Sequence, residues 1–237
     1  MIIFRDVSHS VERNEKRLMV LDHANFDFDL HRMGLVAGSE TQGEAILDLI
    51  AGNLYPEAGA VRHFGRMSWP IGRMAQFRSE LSGRDTLRFL TQLYGLDHIR
   101  AQNFMFDLVD FEHYYDQPIS SWPRLLNVEF GYAAVLLPDF DIYLADGGIN
   151  VGDAGFMARW APQFEARLEG RQLIMYCNQA GYLTKYCRTV VVAHEGQLVR
   201  RPSVAAAFEL VTWIASNPIP DDKAATIEDS YNDDSPI

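Results

Sequence analysis

The first third of the chain carries short apolar runs that alternate with polar residues. MIIFRDVSH (1–9) alternates from its start and predicts a strand. LMVLDHANFDFDL (18–30) predicts two further strands, broken near residues 22–25, and GAVRHFGRMSW (59–69) predicts a hairpin. MGLVAG (33–38) predicts a short buried strand that runs into a glycine turn. This part therefore indicates a β-rich beginning with one buried strand.

The pattern then changes to the spacing of helices. A helix is predicted for residues 43–51, because Ile46, Leu47, Leu49 and Ile50 form an apolar stripe, and Gly52 is a natural stop. Further helices are predicted from three segments in the middle of the chain: SGRDTLRFLTQLYG (82–95), IRAQNFMFDLVD (99–110) and PRLLNVEFGYAAVLL (123–137). The first of these begins with a capping signal, Ser82 followed by Asp85.

The last third alternates strand and helix patterns. The elements are strand FDIYLAD (140–146), helix 153–168, strand RQLIMYC (171–177), helix 179–186, strand TVVVAHEG (189–196) and helix 202–216. Such alternation predicts an α/β fold with a mostly parallel sheet.

Composition narrows the functional classes. The formal net charge of −11 argues against a nucleic-acid-binding protein and against direct docking on anionic lipid. Residues 218–237 supply −5 of this charge, from six acids and one lysine, and their composition predicts a disordered tail. The tail is either solubilising or a docking segment for a basic partner. We therefore expect a single folded domain over residues 1–217.

Cysteine, histidine and apolar patterns predict few special features. Cys177 and Cys187 lack a CxxC companion and are expected to be free thiols of a reducing cytoplasm. No histidine spacing suggests a metal site. The N-terminus does not resemble a signal peptide, and no apolar run is long enough to span a bilayer. We expect no direct membrane insertion.

One segment has the spacing of a phosphate-binding loop. The P-loop pattern is G-x-x-x-x-G-K-[ST] between a buried strand and a helix, and Gly38 and Gly43 stand at the required separation. The two following positions hold Glu44 and Ala45 instead of a lysine and a hydroxyl residue. The candidate loop comprises Gly38, Ser39, Glu40, Thr41, Gln42, Gly43, Glu44 and Ala45.

The order of the elements resembles the nucleotide-binding subunit of an ABC transporter. Three phrases, SWPIGRMAQFRSELSGRDTLRFLTQLYG (68–95), ISSWPRL (119–125) and DIYLADGGINVGDAGF (141–156), are similar to its polysaccharide-export branch, which includes capsule exporters. The resemblance covers about residues 1–202. It implies a P-loop NTPase-like ABC ATPase fold, with an N-terminal antiparallel β subdomain and a helical insert at about 76–138.

The resemblance also implies which positions a working ATPase needs. The Walker A lysine neutralises the phosphates and the adjacent hydroxyl binds Mg²⁺, where this chain has Glu44 and Ala45. A carboxylate about 4 Å from a phosphate charge is repelled by about 4 kcal/mol at an effective dielectric of ~20, so the reversal costs up to ~8 kcal/mol. A millimolar site has only about 4 kcal/mol of binding free energy. Glu44 alternatively stabilises the first turn of a helix without any ligand.

Three further positions concern hydrolysis itself. Asp146 matches the Walker B aspartate, or is simply a structural acid hydrogen-bonded beside the loop. The catalytic glutamate position holds Gly147, which cannot polarise a water molecule. The switch histidine position holds Asn178, for which a helix cap is the local alternative.

The remaining motif positions also differ from the family pattern. The Q-loop glutamine is replaced by Arg78, unless a two-residue slip makes Gln76 its counterpart; as a local alternative, Arg78 is a solvated surface residue. The signature motif reads ISSWP, and we expect the indole of Trp122 either to fill the space that faces the opposite subunit or to serve packing. Val11 stands near the position of the adenine-stacking aromatic.

Together these departures predict a pseudo-ATPase with weak or absent binding of ATP and Mg²⁺. The leading hypothesis is a structural or regulatory partner in polysaccharide export, cytoplasmic and peripheral to the inner membrane. It would contact a permease, an intact ATPase subunit or both, as a homodimer or heterodimer. The alternatives are a residual ATP-binding subunit and a soluble adaptor that regulates polysaccharide assembly.

Overall fold

A computed structural model describes residues 1–13, 16–73, 77, 80–149 and 152–216. In this part of the chain, strands β1 (Ile2–Arg13), β2 (Lys16–Phe28) and β4 (Ala58–His63) form an antiparallel sheet in the order β2-β1-β4. The second sheet has the order β5-β6-β7-β3-β8-β9. Its strands are β3 (Arg32–Ala37), β5 (Met67–Ile71), β6 (Ile142–Asp146), β7 (Gln172–Tyr176), β8 (Thr189–His194) and β9 (Gln197–Arg201).

Five strands of the second sheet are parallel, and only β9 is antiparallel to its neighbour. The helices are α1 (Glu40–Ala51), α2 (Gly83–Tyr94), α3 (His98–Leu108), α4 (Arg124–Ala134), α5 (Ala154–Arg167), α6 (Ala180–Tyr186) and α7 (Val204–Ser216). The predicted α/β fold with an antiparallel N-terminal sheet and a mostly parallel core sheet is confirmed.

The sheet separates two hydrophobic cores. One core lies between the antiparallel sheet, α1 and one face of the parallel sheet. The other core lies between the opposite face of the parallel sheet and the helices α2 to α7. Strand β6 shows the division, because Leu144 lies in the first core and its neighbours Tyr143 and Ala145 lie in the second. This two-sided burial explains why the parallel strands are nearly continuous apolar runs.

Local signals at the helix ends are confirmed. The apolar stripe of α1 is buried, and Gly52 caps its end in the left-handed conformation at φ 74°. The Ser82 hydroxyl accepts a hydrogen bond from the Asp85 backbone N–H at 3.1 Å, as the capping signal predicts.

Two strand predictions are wrong, and one strand is missed. Residues 18–30 do not form two strands, because β2 runs on to Phe28 and absorbs the break through irregular register with β1. Residues 59–69 do not form a hairpin, since β4 pairs with β1 whereas β5 pairs with β6 in the other sheet. Strand β9 is not predicted, although the turn at Glu195 and Gly196, both with positive φ, is typical of a two-residue hairpin.

Helices α2, α3 and α4 lie between β5 and β6 in the chain, within the range of the predicted helical insert. The division into a domain of residues 1–217 and a tail of 218–237 stays a prediction, because the tail lies outside the described residues. Among the described helices, none is long and apolar enough to cross a membrane.

Candidate functional site

The turn after β3 is short and uses its own side chains as hydrogen-bond acceptors. Only Gly38 and Ser39 separate β3 from α1. The Ser39 hydroxyl accepts from the Gln42 N–H at 3.2 Å, and the Gln42 side-chain oxygen accepts from the Gly38 N–H at 3.2 Å. A phosphate-binding loop directs such N–H groups at its ligand, whereas these two groups bond within the chain.

Helix α1 begins three residues earlier than the sequence pattern predicts. Because it starts at Glu40, that residue is the acid of the first turn, and Glu44 lies one turn further on. The side chain of Glu44 is largely exposed. The part of it that is buried, and then the negative charges of Asp146 and Glu40, raise the pKa of its carboxyl group. The interpretation of Glu44 as a stabiliser of the first helical turn is therefore wrong, and Glu40 holds that position.

Gly43 is required by the close approach of Tyr176. A Cβ atom at position 43 would lie 2.0 Å from the Tyr176 ring, so no larger residue fits without movement. Burial raises the pKa of the Tyr176 hydroxyl to about 12. The second glycine of the candidate loop thus has a packing role in addition to its place in the motif. Ala45, next but one along the helix, is buried in the core and carries no oxygen.

Asn178 connects the ends of two strands. Its side-chain oxygen accepts from the Ala37 N–H at 3.2 Å, and its amide donates to the Tyr176 hydroxyl at 3.3 Å. The prediction that it caps a helix is wrong, because α6 begins at Ala180 with Gln179 in the capping position. Asn178 instead holds β3 and β7 together at the edge where the candidate loop begins.

The carboxylate of Asp146 lies at the end of β6 and is paired with an arginine. The Nε atom of Arg73 donates to Asp146 Oδ2 at 2.6 Å, and the other side of the guanidinium donates to Asp48 of α1. The third nitrogen lies 3.5 Å from the backbone oxygen of Glu44. The Asp146 side chain is only 14% exposed and that of Arg73 27%, so this is a partly buried ion-pair network.

Sequence reasoning missed Arg73. The backbone of the preceding glycine explains where Arg73 lies in the fold. Gly72 has a φ of 104°, and a Cβ there would lie 2.2 Å from the Asp146 backbone oxygen. The chain thus passes close to Asp146 directly after β5, and it places the next side chain at that carboxylate.

Gly147 follows Asp146 with a φ of 83°, which is the left-handed region. Its N–H donates to the Tyr176 backbone oxygen at 2.8 Å. A glutamate at this position would have no steric clash from its Cβ, but it would carry the backbone strain of a positive φ. The site therefore contains no carboxylate at the position next to Asp146.

Trp122 packs inside the layer of helices. Its indole is 6% exposed, donates to the Gln117 backbone oxygen at 3.1 Å and lies edge-on to Phe130 at 5.3 Å. The expectation that the indole fills the space facing an opposite subunit is wrong, and the packing alternative describes its contacts. Gly83 accommodates the ring, since a Cβ there would lie 2.7 Å from it.

Other predicted positions remain untested. Arg78 and Gln76 lie outside the described residues. Val11 is partly buried and packs against the core beside the antiparallel sheet, so its assignment to the adenine-stacking position stays a prediction. Cys177 and Cys187 are buried free thiols.

The residues of this site do not fit a magnesium–nucleotide ligand. The carboxylate of Asp146 is paired with Arg73, the side chain of Ala45 offers no oxygen, and Glu44 has an exposed carboxyl group where a phosphate needs a cation. In the described residues, no group of three or more potential metal-ligating side chains comes together. The arrangement positions the carboxylates of Asp48 and Asp146 and neutralises their charge with Arg73.

Comparisons with known proteins agree with the architecture. No protein-family model matches the chain. It is 22% identical over 207 residues to the capsule polysaccharide export ATP-binding protein CtrD of Neisseria meningitidis, covering 87% of this chain and 88% of the relative. It is 24% identical over 197 residues to the ATP-binding protein BexA of Haemophilus influenzae, covering 83% and 91%.

Solved structures show the same fold. An ATP-binding subunit of an ABC transporter superposes with a TM-score of 0.69 at 13% identity, over 96% of this chain and 98% of the other. The ATP-binding cassette MJ0796, solved as a dimer in a post-hydrolysis state bound to ADP and Pi, gives 0.67 at 11% identity, over 85% and 98%. This chain therefore has the ABC ATPase fold and is a homologue of the ABC-transporter ATP-binding proteins of capsule and polysaccharide export.

Proposed function

We propose that this protein is a catalytically degenerate homologue of the ATP-binding subunit of a polysaccharide ABC exporter. It acts as a structural or regulatory partner in capsular or other cell-surface polysaccharide export. The observation that carries the proposal is the pairing of Asp146 with Arg73 beside a loop whose lysine position holds Glu44. A carboxylate already paired with the chain's own cation supports a site that works without nucleotide.

The degeneracy is distributed over the site. Gly147 replaces the catalytic glutamate of the family, Asn178 replaces the switch histidine, and Arg78 stands at the Q-loop glutamine unless Gln76 is its counterpart. A single departure is open to compensation by neighbouring groups, but Gly147 follows β6 whereas Asn178 follows β7. Their joint replacement favours a role in which no water molecule is activated.

The proposed partners are an ABC permease, an intact ATP-binding subunit, or both. CtrD and BexA are described by their names as ATP-binding proteins, and MJ0796 is described as dimeric. By analogy, we propose that this chain forms a homodimer or heterodimer and reaches the inner membrane through the permease. Neither partnership requires the chain to enter the lipid itself.

Co-purification from detergent-solubilised membranes tests this function. Tagged protein should retain a polytopic permease, with or without an intact ATP-binding subunit, and the isolated chain should show no ATP turnover. Recovery without any permease would contradict the export role. Turnover by the chain alone would contradict the degeneracy.

A further inference from the structure

We propose that Arg73 is a built-in counter-ion that ties β5, β6 and α1 together at this site. It serves as the link that a bound metal and nucleotide supply in a working cassette. The inference rests on the proposed function, because it takes Asp146 as the counterpart of the Walker B aspartate. It goes beyond that function by naming the side chain that replaces the ligand.

The guanidinium of Arg73 bonds to carboxylates on two different elements. Its Nε atom donates to Asp146 Oδ2 at 2.6 Å, while its Nη1 atom donates to Asp48 on α1. One planar side chain thus spans the end of a strand and the middle of a helix. Arginine suits this task because its five N–H donors are fixed in a rigid fork.

Arg73 also neutralises negative charge at this site. The carboxylates of Asp48 and Asp146 are only 22% and 14% exposed, so each would be costly without a cation. Glu44 and Glu40 add further negative charge nearby. Partial burial, followed by the charges of Asp146 and Glu40, raises the pKa of the Glu44 carboxyl group. Arg73 is the cation that pairs with both partly buried aspartates in the described structure.

The backbone before Arg73 brings this side chain close to Asp146. Gly72 adopts a φ of 104° and lies against the Asp146 backbone oxygen, where any Cβ would be 2.2 Å away. Only glycine permits this approach, and the next residue is then directed to the aspartate. The tie therefore depends on two adjacent residues, one for the path of the chain and one for the charge.

A second arginine in the chain provides a matched control. Arg171 bridges Asp139 and Asp141 at 2.9 and 3.1 Å, and its side chain is 32% exposed against 27% for Arg73. Asp141 immediately precedes β6, whereas Asp146 ends it. Arg171→Met thus removes a second arginine–carboxylate network, with more exposed carboxylates, at the opposite end of the same strand.

The test is amide hydrogen exchange of the ligand-free protein, with Arg73→Met and Arg171→Met compared with the wild type. We expect Arg73→Met to accelerate exchange at residues 44–48 and 146–148 by about tenfold or more, because the partly buried carboxylates of Asp48 and Asp146 lose their counter-ion. Arg171→Met should leave exchange at those residues unchanged. Equal exchange in the two variants at those residues would overturn the proposal.

A double variant separates a charge tie from simple packing. If Arg73 acts through Asp146, then Arg73→Met/Asp146→Asn should exchange no faster than Arg73→Met alone, whereas additive acceleration would contradict the coupling. If Arg73→Met does not accumulate as folded protein, Arg73→Lys is compared with Arg171→Lys in the same way. Faster exchange at 44–48 and 146–148 in Arg73→Lys supports the tie, and equal exchange overturns it.

These measurements use no nucleotide. Binding of magnesium–ATP by the wild-type protein would contradict the proposed function, whatever the exchange data show. Unchanged hydrogen exchange in Arg73→Met would disprove the proposed role of Arg73 and would leave the proposed function intact. The two failures are therefore distinguishable.

Discussion

Gly43 is the residue at which motif and packing are hardest to separate. As one of two glycines at P-loop spacing it is weak evidence for a phosphate site, and its contact with Tyr176 gives it a second reason to be glycine. Sequence reasoning could identify the spacing but not the ring, because Tyr176 is far away in the chain and comes close only in the folded sheet. The same holds for Arg73, whose partners lie 25 and 73 positions away.

Gly43→Ala should lower the free energy of unfolding by about 1–3 kcal/mol, since its Cβ would meet the Tyr176 ring at 2.0 Å. Gly181→Ala is the matched control, because a Cβ there meets nothing within 4 Å and alanine favours the helix. Urea denaturation of both variants provides the comparison. Equal stability of the two alanine variants would show that Tyr176 does not restrict position 43.

Glu44→Gln tests the charge environment of the exposed carboxyl group. Burial and neighbouring carboxylates raise the pKa of Glu44 in the folded protein, so its ionised form costs stability above that pKa, and the cost disappears below the ordinary value of 4.5. Glu44→Gln should therefore raise Tm at pH 7, by only about 1 °C because the group is exposed to solvent.

The difference in Tm between Glu44→Gln and wild type should shrink in high salt and as the pH falls towards 4.5. Thermal unfolding at several pH values and salt concentrations measures it. A glutamine variant that is less stable than wild type at pH 7 would show that Glu44 makes a favourable interaction instead.

Among the elements, those with strong local signals could be predicted and those set by distant pairing could not. Helix α2 has a capping serine and apolar residues at helical spacing, of which Leu87 and Leu90 are buried whereas Leu93 is exposed. By contrast, β4 and β5 are adjacent in sequence but pair with different sheets, because β1 and β6 provide the available edges. The beginning of α1 was misplaced because Ser39 caps the helix before the second glycine of the motif.

Helix α4 is linked to the loop before α5 by a buried carboxyl group. Glu129 is 7% exposed, and its Oε1 atom accepts from the Asp153 N–H at 2.9 Å. Burial raises the pKa of this carboxyl group. The bond fixes the residue that caps α5, since the Asp153 carboxylate accepts from the Phe156 N–H at 2.6 Å.

Glu129→Ala should lower the free energy of unfolding by about 1–3 kcal/mol, because the partly buried hydrogen bond from the Asp153 N–H loses its charged acceptor. Glu129→Gln keeps an acceptor oxygen and removes the buried ionisable group, so it should remain close to wild type. Chemical denaturation of the pair measures the difference. A glutamine variant as unstable as the alanine variant would show that the charge, and not the hydrogen bond, is what matters.

For the molecule as a whole, the proposed function combines the ABC ATPase fold with a site that departs from the family pattern. The order of strands and helices was sufficient to predict this fold, and structural superposition with a TM-score of 0.69 agrees with it. The fold does not determine the chemistry, which depends on a few side chains at the strand ends. Those side chains are what distinguish a working cassette from the degenerate one proposed here.

The central claim is that this site does not bind magnesium–ATP. Calorimetric titration of the wild-type protein with ATP, with and without Mg²⁺, tests it most directly, with Glu44→Ala as the control that removes the repelling carboxylate. The account predicts no saturable heat up to about 1 mM ATP, where a site would need about 4 kcal/mol of binding free energy. Saturable, Mg²⁺-dependent binding of ATP by the wild type would contradict it, and turnover above that of Glu44→Ala would further contradict the proposed loss of catalysis.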